Sequence, residues 1–324
     1  MEATLIYPER KLWAAARDAL IWLSGPVSER GATRGARMAL HMGGPMVHER
    51  RLAMREHPIG RRLIEERPDL CASLNDMAGL AAMPEGSLGR AFHTFMDHPE
   101  TVPGYMLSGL IYKDGWFDSV PMDKELRWAF ERWMQTHDLM HVVSGYGADL
   151  AGEGLNIYFT GGYNLGFSWR ATFWSPYGLA PRLMRPSVGA DRWHDYLREA
   201  WARGLAARRH LPFESVPWEE LLPQPLAEAR RILGLPSLAD PAMNSGEWTD
   251  ESFFTRKFLA SSVDYESVRG VKAAVEAGVP VKELMRADAD TRSQVEKLAR
   301  EGAEVDVLIG ALAGCSLGGS GGAR

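Results

Sequence analysis

The chain has 324 residues, of which 45% are hydrophobic and 24% charged, and this globular composition excludes a disordered or collagenous protein. Its formal net charge of −5, from 37 basic and 42 acidic residues, is too close to neutral for a general nucleic-acid-binding protein. The length fits two domains, or one large domain with an appendage.

Cysteine usage and apolar runs exclude two further classes of protein. Cys71 and Cys315 are too few for a disulfide framework, and they form no Cys-x-x-Cys zinc motif. The longest uncharged apolar run, 307–317, is shorter than the stretch of about 20 residues that a membrane-spanning helix needs. The opening residues, which include Glu2 and Pro8, do not read as a secretion signal. We therefore expect an intracellular protein that is soluble or peripheral to a membrane.

The first predicted element is an amphipathic helix over 11–23, which Gly25 and Pro26 bring to an end. Its apolar residues recur at helical spacing, and they are Leu12, Trp13, Ala16, Leu20 and Leu23.

The segment 29–62 is locally basic, with eight arginines against three glutamates. One interpretation is a contact with phosphate or with an anionic membrane surface. The other is a solvated helical face, which the scattered positions of the arginines favour. The arginines are Arg30, Arg34, Arg37, Arg50, Arg51, Arg55, Arg61 and Arg62.

Further helices are predicted over 60–66, 88–96, 191–209 and, with a proline-marked restart, 217–235. A turn over 83–86 precedes the second of them.

The strongest periodicity in the chain runs from Asp123 to Gly145 and predicts one helix. Asp123 is suited to the N-cap. Leu126, Phe130, Trp133, His137 and His141 follow at spacings of 4, 3, 4 and 4, which places them on one helix face. Because this face packs inward, the two imidazoles are expected to point toward the core.

Aromatic residues are concentrated around this helix, since residues 105–177 hold 16 of the 31 in the chain. They predict either a large core or an apolar pocket for a small molecule.

The pattern that carries chemistry is His137-Asp138-Leu139-Met140-His141, with eleven residues between His141 and Glu153. Two histidines four positions apart on a helix can hold one divalent metal. The glycine-containing stretch 145–152 can turn the chain back and bring Glu153 to the same ion. This donor set suits zinc, iron, cobalt or manganese.

Asp138 has three open roles: metal ligand, partner that orients a histidine, or proton donor and acceptor. The zinc-protease motif has glutamate next to its first histidine, so the aspartate here disfavours that class. The competing interpretation of the whole pattern is two core histidines satisfied by hydrogen bonds. The other histidines of the chain are expected to be structural.

Residues 240–324 differ from the rest in being poor in aromatics and net acidic. Val271, Gly278, Val281 and Leu284 repeat after 24 residues, as Val295, Gly302, Val305 and Leu308. This echo predicts one or two helix–turn–helix units, with Thr291 and Gln294 as a capping box. We expect a domain over 1–239 and a helical interaction appendage over 240–324 that ends in a flexible Gly/Ser tail.

The motif resembles the hallmark of the "Coq four" family of coenzyme Q (ubiquinone) biosynthesis proteins: a His-Asp pair, a second histidine, and Gly152 before Glu153. Other pieces that are similar to the family follow the expected order, and the resemblance covers residues 10–236. They are His57 to Pro68, Leu80 to Phe95, Asp123 to Leu126, Ala206 to Arg208 and Trp218 to Gly234.

The resemblance implies an all-α fold, here an irregular helical domain built around a central metal-binding helix plus the small C-terminal appendage. It implies a divalent metal, with zinc favoured, held by His137, Asp138, His141 and Glu153, and Asp138 as the catalytic residue. It also implies a location in the cytoplasm, peripheral to the inner face of the cell membrane. The implied partners are a polyprenylated benzoate or quinone precursor, other ubiquinone biosynthesis proteins and the membrane surface, with a homodimer left open and no nucleic acid.

The implied activity is metal-dependent decarboxylation at ring carbon 1 of a polyprenyl hydroxybenzoate, with or without replacement of the carboxyl group by hydroxyl. The alternative is a non-catalytic prenyl-lipid-binding scaffold for the biosynthetic complex. The chain departs from the family pattern at Thr136, where an acidic residue is common, and in the uncharged stretch 154–163. That uncharged stretch, together with the acidic appendage, favours the scaffold somewhat. A metal-dependent hydrolase also fits the ligand set.

Overall fold

The structure, a computed structural model, describes residues 6–24, 28–97, 112, 116–147, 150–164, 190–237 and 265–316. Over these residues the chain is mostly helical and contains no strand, which confirms the all-α prediction. The helices are α1 (Leu12–Ser24), α2 (Ser28–Glu56), α3 (Pro58–Glu66), α4 (Leu70–Asn75), α5 (Met77–Ala82), α6 (Leu88–Met96), α7 (Trp116–Ser119), α8 (Lys124–Gln135), α9 (His137–Ser144), α10 (Leu150–Asn164), α11 (Ala190–His210), α12 (Trp218–Leu221), α13 (Leu226–Ile232), α14 (Tyr265–Glu276), α15 (Val281–Arg286), α16 (Ala289–Arg300) and α17 (Val305–Ser316), with a 3₁₀ turn at Phe213–Ser215.

The helix predicted from Asp123 to Gly145 is two helices, α8 and α9, separated at Thr136. The Thr136 hydroxyl donates a hydrogen bond to the Trp133 carbonyl at 2.7 Å, so the side chain takes a backbone acceptor inside the helical run. Both predicted ends are confirmed. The Asp123 carboxylate accepts the Leu126 N–H, and Gly145 ends α9 with φ of 84°.

The main core extends from α2 to α13, and within it α10 and α11 pack closely against each other. Gly204 of α11 lies directly against α10, because a Cβ atom built there would be only 2.1 Å from the Phe159 carbonyl oxygen. Gly162 makes the reciprocal approach, 2.3 Å from the Trp201 carbonyl oxygen. Glycines at these positions allow the backbones of α10 and α11 to come together.

The basic segment 29–62 is used largely for internal ion pairs, and neither of its two interpretations accounts for Arg50 and Arg51. Arg50 contacts Glu214 at 2.8 Å, and the fully buried Arg51 pairs with Asp123. The remaining pairs in this group are Arg55 with Glu125 and Arg62 with Glu220. These arginines attach α2 and α3 to the beginning of α8 and to the 3₁₀ turn and α12, and the side chains of Arg30 and Arg34 lie outside the described residues.

Helix α1 begins and ends one residue later than the predicted 11–23, and its apolar stripe faces outward. Leu12, Trp13 and Leu20 are 63%, 90% and 67% exposed, whereas Ala15 and Asp18 are buried. The buried carboxylate of Asp18 contacts His41 of α2, whose Nδ1 lies 3.0 Å from it. No helix in the described part of the chain has the length and apolar character to cross a bilayer.

Helices α14 to α17 form a second apolar cluster, to which Cys71 of α4 also belongs. Gly278 and Gly302 correspond to each other in the 24-residue echo, and both have positive φ, 104° and 81°. Each follows the end of a longer helix. The predicted capping box at Thr291 is wrong, because α16 begins earlier, at Ala289. Its N-cap is Asp288, whose carboxylate accepts the Thr291 N–H at 2.9 Å.

The second cluster contacts the main core through ion pairs as well as through Cys71. Arg286 binds Asp118 with two hydrogen bonds, of 2.9 and 3.1 Å, and Lys282 pairs with Glu131. Both cations also lie over the Tyr112 ring, at 4.5 and 5.3 Å from its centroid. A division of the chain at 239/240 stays a prediction, since 238–264 is outside the described residues.

Candidate metal centre

His137, Asp138 and His141 come together at the start of α9, as the spacing predicts. One ligand atom from each lies within 4.8 Å of the others. The two Nε2 atoms of the histidines are 3.4 Å apart. Asp138 and His141 are buried and His137 is half-buried. In the described part of the chain, this is the one group of three such side chains close enough to share an ion.

The hydrogen bond on the far side of the His141 ring sets its tautomer. Its Nδ1 lies 3.1 Å from the Tyr146 carbonyl oxygen. Because a carbonyl only accepts, Nδ1 carries the hydrogen and Nε2 presents its lone pair toward His137. Fixing a ligand histidine through its second nitrogen is the usual arrangement at protein metal sites.

Phe95 of α6 packs against the same ring and forms one wall of the site. Its ring is 5.5 Å from that of His141, at an interplanar angle of 21°. A stacked aromatic neighbour fixes the plane of the imidazole and lowers the local dielectric. The lone pair at Nε2 is therefore oriented from two sides, by a hydrogen bond and by a ring.

The carboxyl end of α9 is held by two arginines from distant helices. Arg230 of α13 donates to the carbonyls of Val142 and Val143, at 3.1 and 2.8 Å. Arg203 of α11 donates to the Ser144 carbonyl at 3.0 Å. The last carbonyls of a helix have no partner within it, and cations there also complement its dipole. Burial lowers the pKa of Arg230, and the charge of Arg203 adds to this effect.

Tyr146 connects these two arginines to His141. Its carbonyl binds His141, while its hydroxyl accepts a hydrogen bond of 2.8 Å from Arg203. Burial raises the pKa of Tyr146, and the neighbouring guanidinium opposes that shift. Tyr146 thus links Arg203, at the carboxyl end of α9, to the imidazole of His141.

Glu153 lies in the first turn of α10, and its side chain is outside the described residues. The backbone shows how its position is brought near α9. A Cβ atom at Gly152 would lie 1.9 Å from the Gly147 carbonyl oxygen, so α10 starts in direct contact with the turn that leaves α9. Asn156, one turn on, places its Nδ2 3.4 Å from the His137 carbonyl oxygen. Helical spacing puts position 153 on the same face as Asn156, and coordination by Glu153 stays a prediction.

The residues that position the ligands were absent from the sequence prediction: Phe95, Tyr146, Asn156, Arg203 and Arg230. No local pattern marks them. Asn156, which is fully buried, could have been noticed as a polar residue in an otherwise apolar stretch after Glu153.

The predicted aromatic cluster is partly described. Phe117, Tyr146, Phe159 and Tyr163 are core residues, whereas the aromatics at 105 and 167–177 lie outside the described residues.

The donor set fits a divalent transition metal. Two imidazoles and a carboxylate, with another carboxylate at a position on the adjoining helix, are the ligands that zinc, iron, cobalt and manganese take in proteins. The two facing nitrogens, 3.4 Å apart, fit either a hydrogen bond between the rings or a cation shared by them.

The fold and this site define an all-helical protein with a buried His-Asp-His group able to hold a metal ion. Residues 10–238 match the model of the family described as "Coenzyme Q (ubiquinone) biosynthesis protein Coq4". The chain therefore belongs to the Coq4 family.

Individual relatives agree with this assignment. "Ubiquinone biosynthesis protein COQ4, mitochondrial" of Meyerozyma guilliermondii is 26% identical over 192 residues, which cover 59% of this chain and 56% of the relative. The COQ4 homolog of Xenopus laevis, also described as mitochondrial, is 30% identical over 47% of this chain and 52% of that protein. The chain thus spans about half the length of the curated relatives it matches. A solved structure from Nostoc punctiforme PCC 73102 covers 71% of this chain and 100% of that one, with a TM-score of 0.47 and 18% identity.

Proposed function

We propose that this protein acts in ubiquinone biosynthesis as a metal-dependent carbon–carbon lyase. Its substrate would be a polyprenyl hydroxybenzoate, and its reaction the removal of the carboxyl group at ring carbon 1. The observation that carries the proposal is the buried His137-Asp138-His141 group within a chain of the Coq4 family.

In this proposal His137, His141 and Glu153 hold a divalent cation, with zinc favoured over iron, cobalt or manganese. When bound, the cation supplies Lewis acidity toward a carboxylate or ring oxygen of the substrate. The remaining task is assigned to Asp138, and its position next to His137 in the first turn of α9 supports this assignment. It would orient its neighbour or deliver a proton to the ring carbon as carbon dioxide leaves. Replacement by hydroxyl would require a further two-electron oxidant such as dioxygen.

The surroundings suit an aromatic ring with an apolar tail. Phe95 lines the site beside His141, and exclusion of water there strengthens the electrostatic interactions that act on the substrate. A polyprenyl chain partitions into lipid, so a location at the inner face of the cell membrane, together with other enzymes of the pathway, agrees with such a substrate.

The proposal is tested with the variants His141→Ala and Glu153→Ala. Bound metal is measured by elemental analysis, and decarboxylation is measured with a short-chain prenylated hydroxybenzoate. We expect both to fall in both variants. His93→Ala is the matched control, because His93 is half-buried and lies outside the ligand group. Full metal content with full activity in His141→Ala would reject the site.

The second candidate is a non-catalytic scaffold that binds prenyl lipid for the biosynthetic complex. It is favoured by the stretch after Glu153, where Leu155, Tyr158 and Phe159 are buried apolar packing residues of the core. Turnover by the purified metal-loaded protein separates the two candidates, since a scaffold would bind the precursor and leave its carboxyl group in place.

A further inference from the structure

The outward face of α1 is the most exposed apolar surface in the described part of the chain. Leu12, Trp13 and Leu20 are all more than 60% exposed, and Trp13 reaches 90%. With Ala16 they fall within an arc of about 100° around the helix, at 3.6 residues per turn. A soluble helix normally turns such a stripe toward the core, so its exposure marks an interaction surface.

Helix α1 cannot simply rotate to bury this stripe, because its opposite face is fixed. Asp18 is fully buried and contacts His41 of α2 at 3.0 Å. The Lys11 N–H donates to the His41 carbonyl at 2.7 Å, which ties the start of the helix to the same residue. Rotation would expose Ala15 and break the buried contact of a carboxylate, which is costly.

The charges around the stripe indicate what it meets. Arg10, Lys11 and Arg17 are exposed on or beside α1, against the single exposed carboxylate of Glu9. Long cationic side chains at the edge of an apolar stripe are typical of helices that lie in the surface of an anionic bilayer. Tryptophan, with its amphipathic ring, is enriched at the same depth. A protein partner of matching shape would not require this excess of positive charge.

We propose that the outward face of α1 docks on the surface of an anionic phospholipid membrane, with Trp13, Leu12 and Leu20 inserted among the lipids. We assign the contact to α1 and not to the basic segment 29–62 that the sequence suggested, since four of its eight arginines are paired with carboxylates of the same chain. It deepens the proposed function by naming the surface through which the protein reaches a lipid-borne substrate, but the docking itself depends on no chemistry at the metal site.

The test is flotation of the full chain with phosphatidylcholine vesicles, with or without phosphatidylglycerol. We expect binding to the anionic vesicles that weakens as salt is added. Trp13→Gln and Leu20→Gln should each weaken it about tenfold, because each removes an inserted apolar side chain. Val307→Gln is the matched control, since Val307 is 53% exposed but lies on α17, and it should bind like the unaltered protein.

A second measurement protects the test against unfolding of a variant. Vesicles with brominated acyl chains should quench the Trp13 contribution to fluorescence, given by the difference between the unaltered protein and Trp13→Phe. Absence of this quenching, or equal binding by Trp13→Gln and Val307→Gln, would overturn the proposal. A dimer that Leu20→Gln dissociates, in a chain that ignores vesicles, would also overturn it and assign the face to a second copy. His141→Ala should bind vesicles normally, so failure of docking and failure of the proposed chemistry are distinguishable.

Discussion

The close approach at Gly152 allows a quantitative prediction about the contact between α10 and the turn that follows α9. A Cβ atom at this position would meet three backbone atoms of Gly147, with its oxygen at 1.9 Å, its carbon at 2.5 Å and its nitrogen at 2.8 Å. Contacts of Cβ under 3.0 Å are essentially never observed, so Gly152→Ala must move the two segments apart by about 1 Å. Backbone, unlike the end of a flexible side chain, has little room to yield.

The expected energetic cost combines two opposing effects. Forced separation of packed segments costs about 1–3 kcal/mol. Alanine in place of glycine in a helix returns up to about 1 kcal/mol. We therefore expect Gly152→Ala to lower the free energy of unfolding by about 1–2 kcal/mol, measured by urea denaturation. Gly310→Ala in α17 is the matched control, since no atom lies within 4 Å of its Cβ position. It should raise the free energy of unfolding by up to about 1 kcal/mol.

The same displacement should be visible at the metal site. Metal–ligand distances tolerate changes of only about 0.2 Å. A shift of α10 by several times that distance would carry Glu153, the proposed fourth ligand, away from the ion. We therefore expect metal affinity to fall at least about tenfold, measured by competition with a chelator. Loss of stability without loss of affinity would show that Glu153 is not a ligand. Unchanged stability and unchanged affinity would refute the close approach itself.

Two further predictions concern the arginine cap and the docking of α15. Arg203→Met should lower the free energy of unfolding by about 3 kcal/mol because it leaves the buried Ser144 carbonyl without its guanidinium donor, whereas Arg198→Met on the same helix, 74% exposed, should change urea denaturation little. Hydrogen bonds from Arg286 hold the pKa of Asp118 below its ordinary value of 3.8. The stabilisation from that pair is therefore complete above pH 3.8 and is lost as pH falls through the lower, folded-state pKa. Reactivity of the buried Cys71 thiol toward dithiodipyridine, in a Cys315→Ser background, should rise in that acid range. Asp118→Asn should raise it already at neutral pH, and an acid step unaltered by Asp118→Asn would contradict the assignment.

The candidate ligand group on α9 could be predicted because its arrangement is local. His137 and His141 are four residues apart, and the apolar residues before them define which face is buried. The groups that orient them could not, because their contacts join distant parts of the chain. Arg203 and Arg230 reach the end of α9 from 59 and 87 residues away. Nothing in their neighbouring sequence distinguishes them from surface arginines.

Charge was the least predictable part of the fold for the same reason. The local sequence around Arg50 and Arg51 is that of a solvated basic segment, and only the return of the chain at Glu214 and Asp123 turns these residues into buried pairs. In α1, residues predicted to be apolar and amphipathically arranged are exposed instead of buried. Periodicity identified the apolar stripe, but one buried carboxylate, Asp18, decides which face of the helix is inside.

The electrostatics of α9 explain why a cation at its start requires carboxylates. The first turn of a helix carries partial positive charge, which opposes a metal ion bound to His137 and His141. Asp138 lies in that turn and offsets both the helix dipole and one charge of the ion. Glu153, if it coordinates, offsets the second, so a divalent cation would be neutralised before any substrate arrives. In Glu153→Gln one positive charge would remain, and an anionic benzoate could supply the missing balance. Binding of substrate and binding of metal should then be coupled more strongly in that variant than in the unaltered protein.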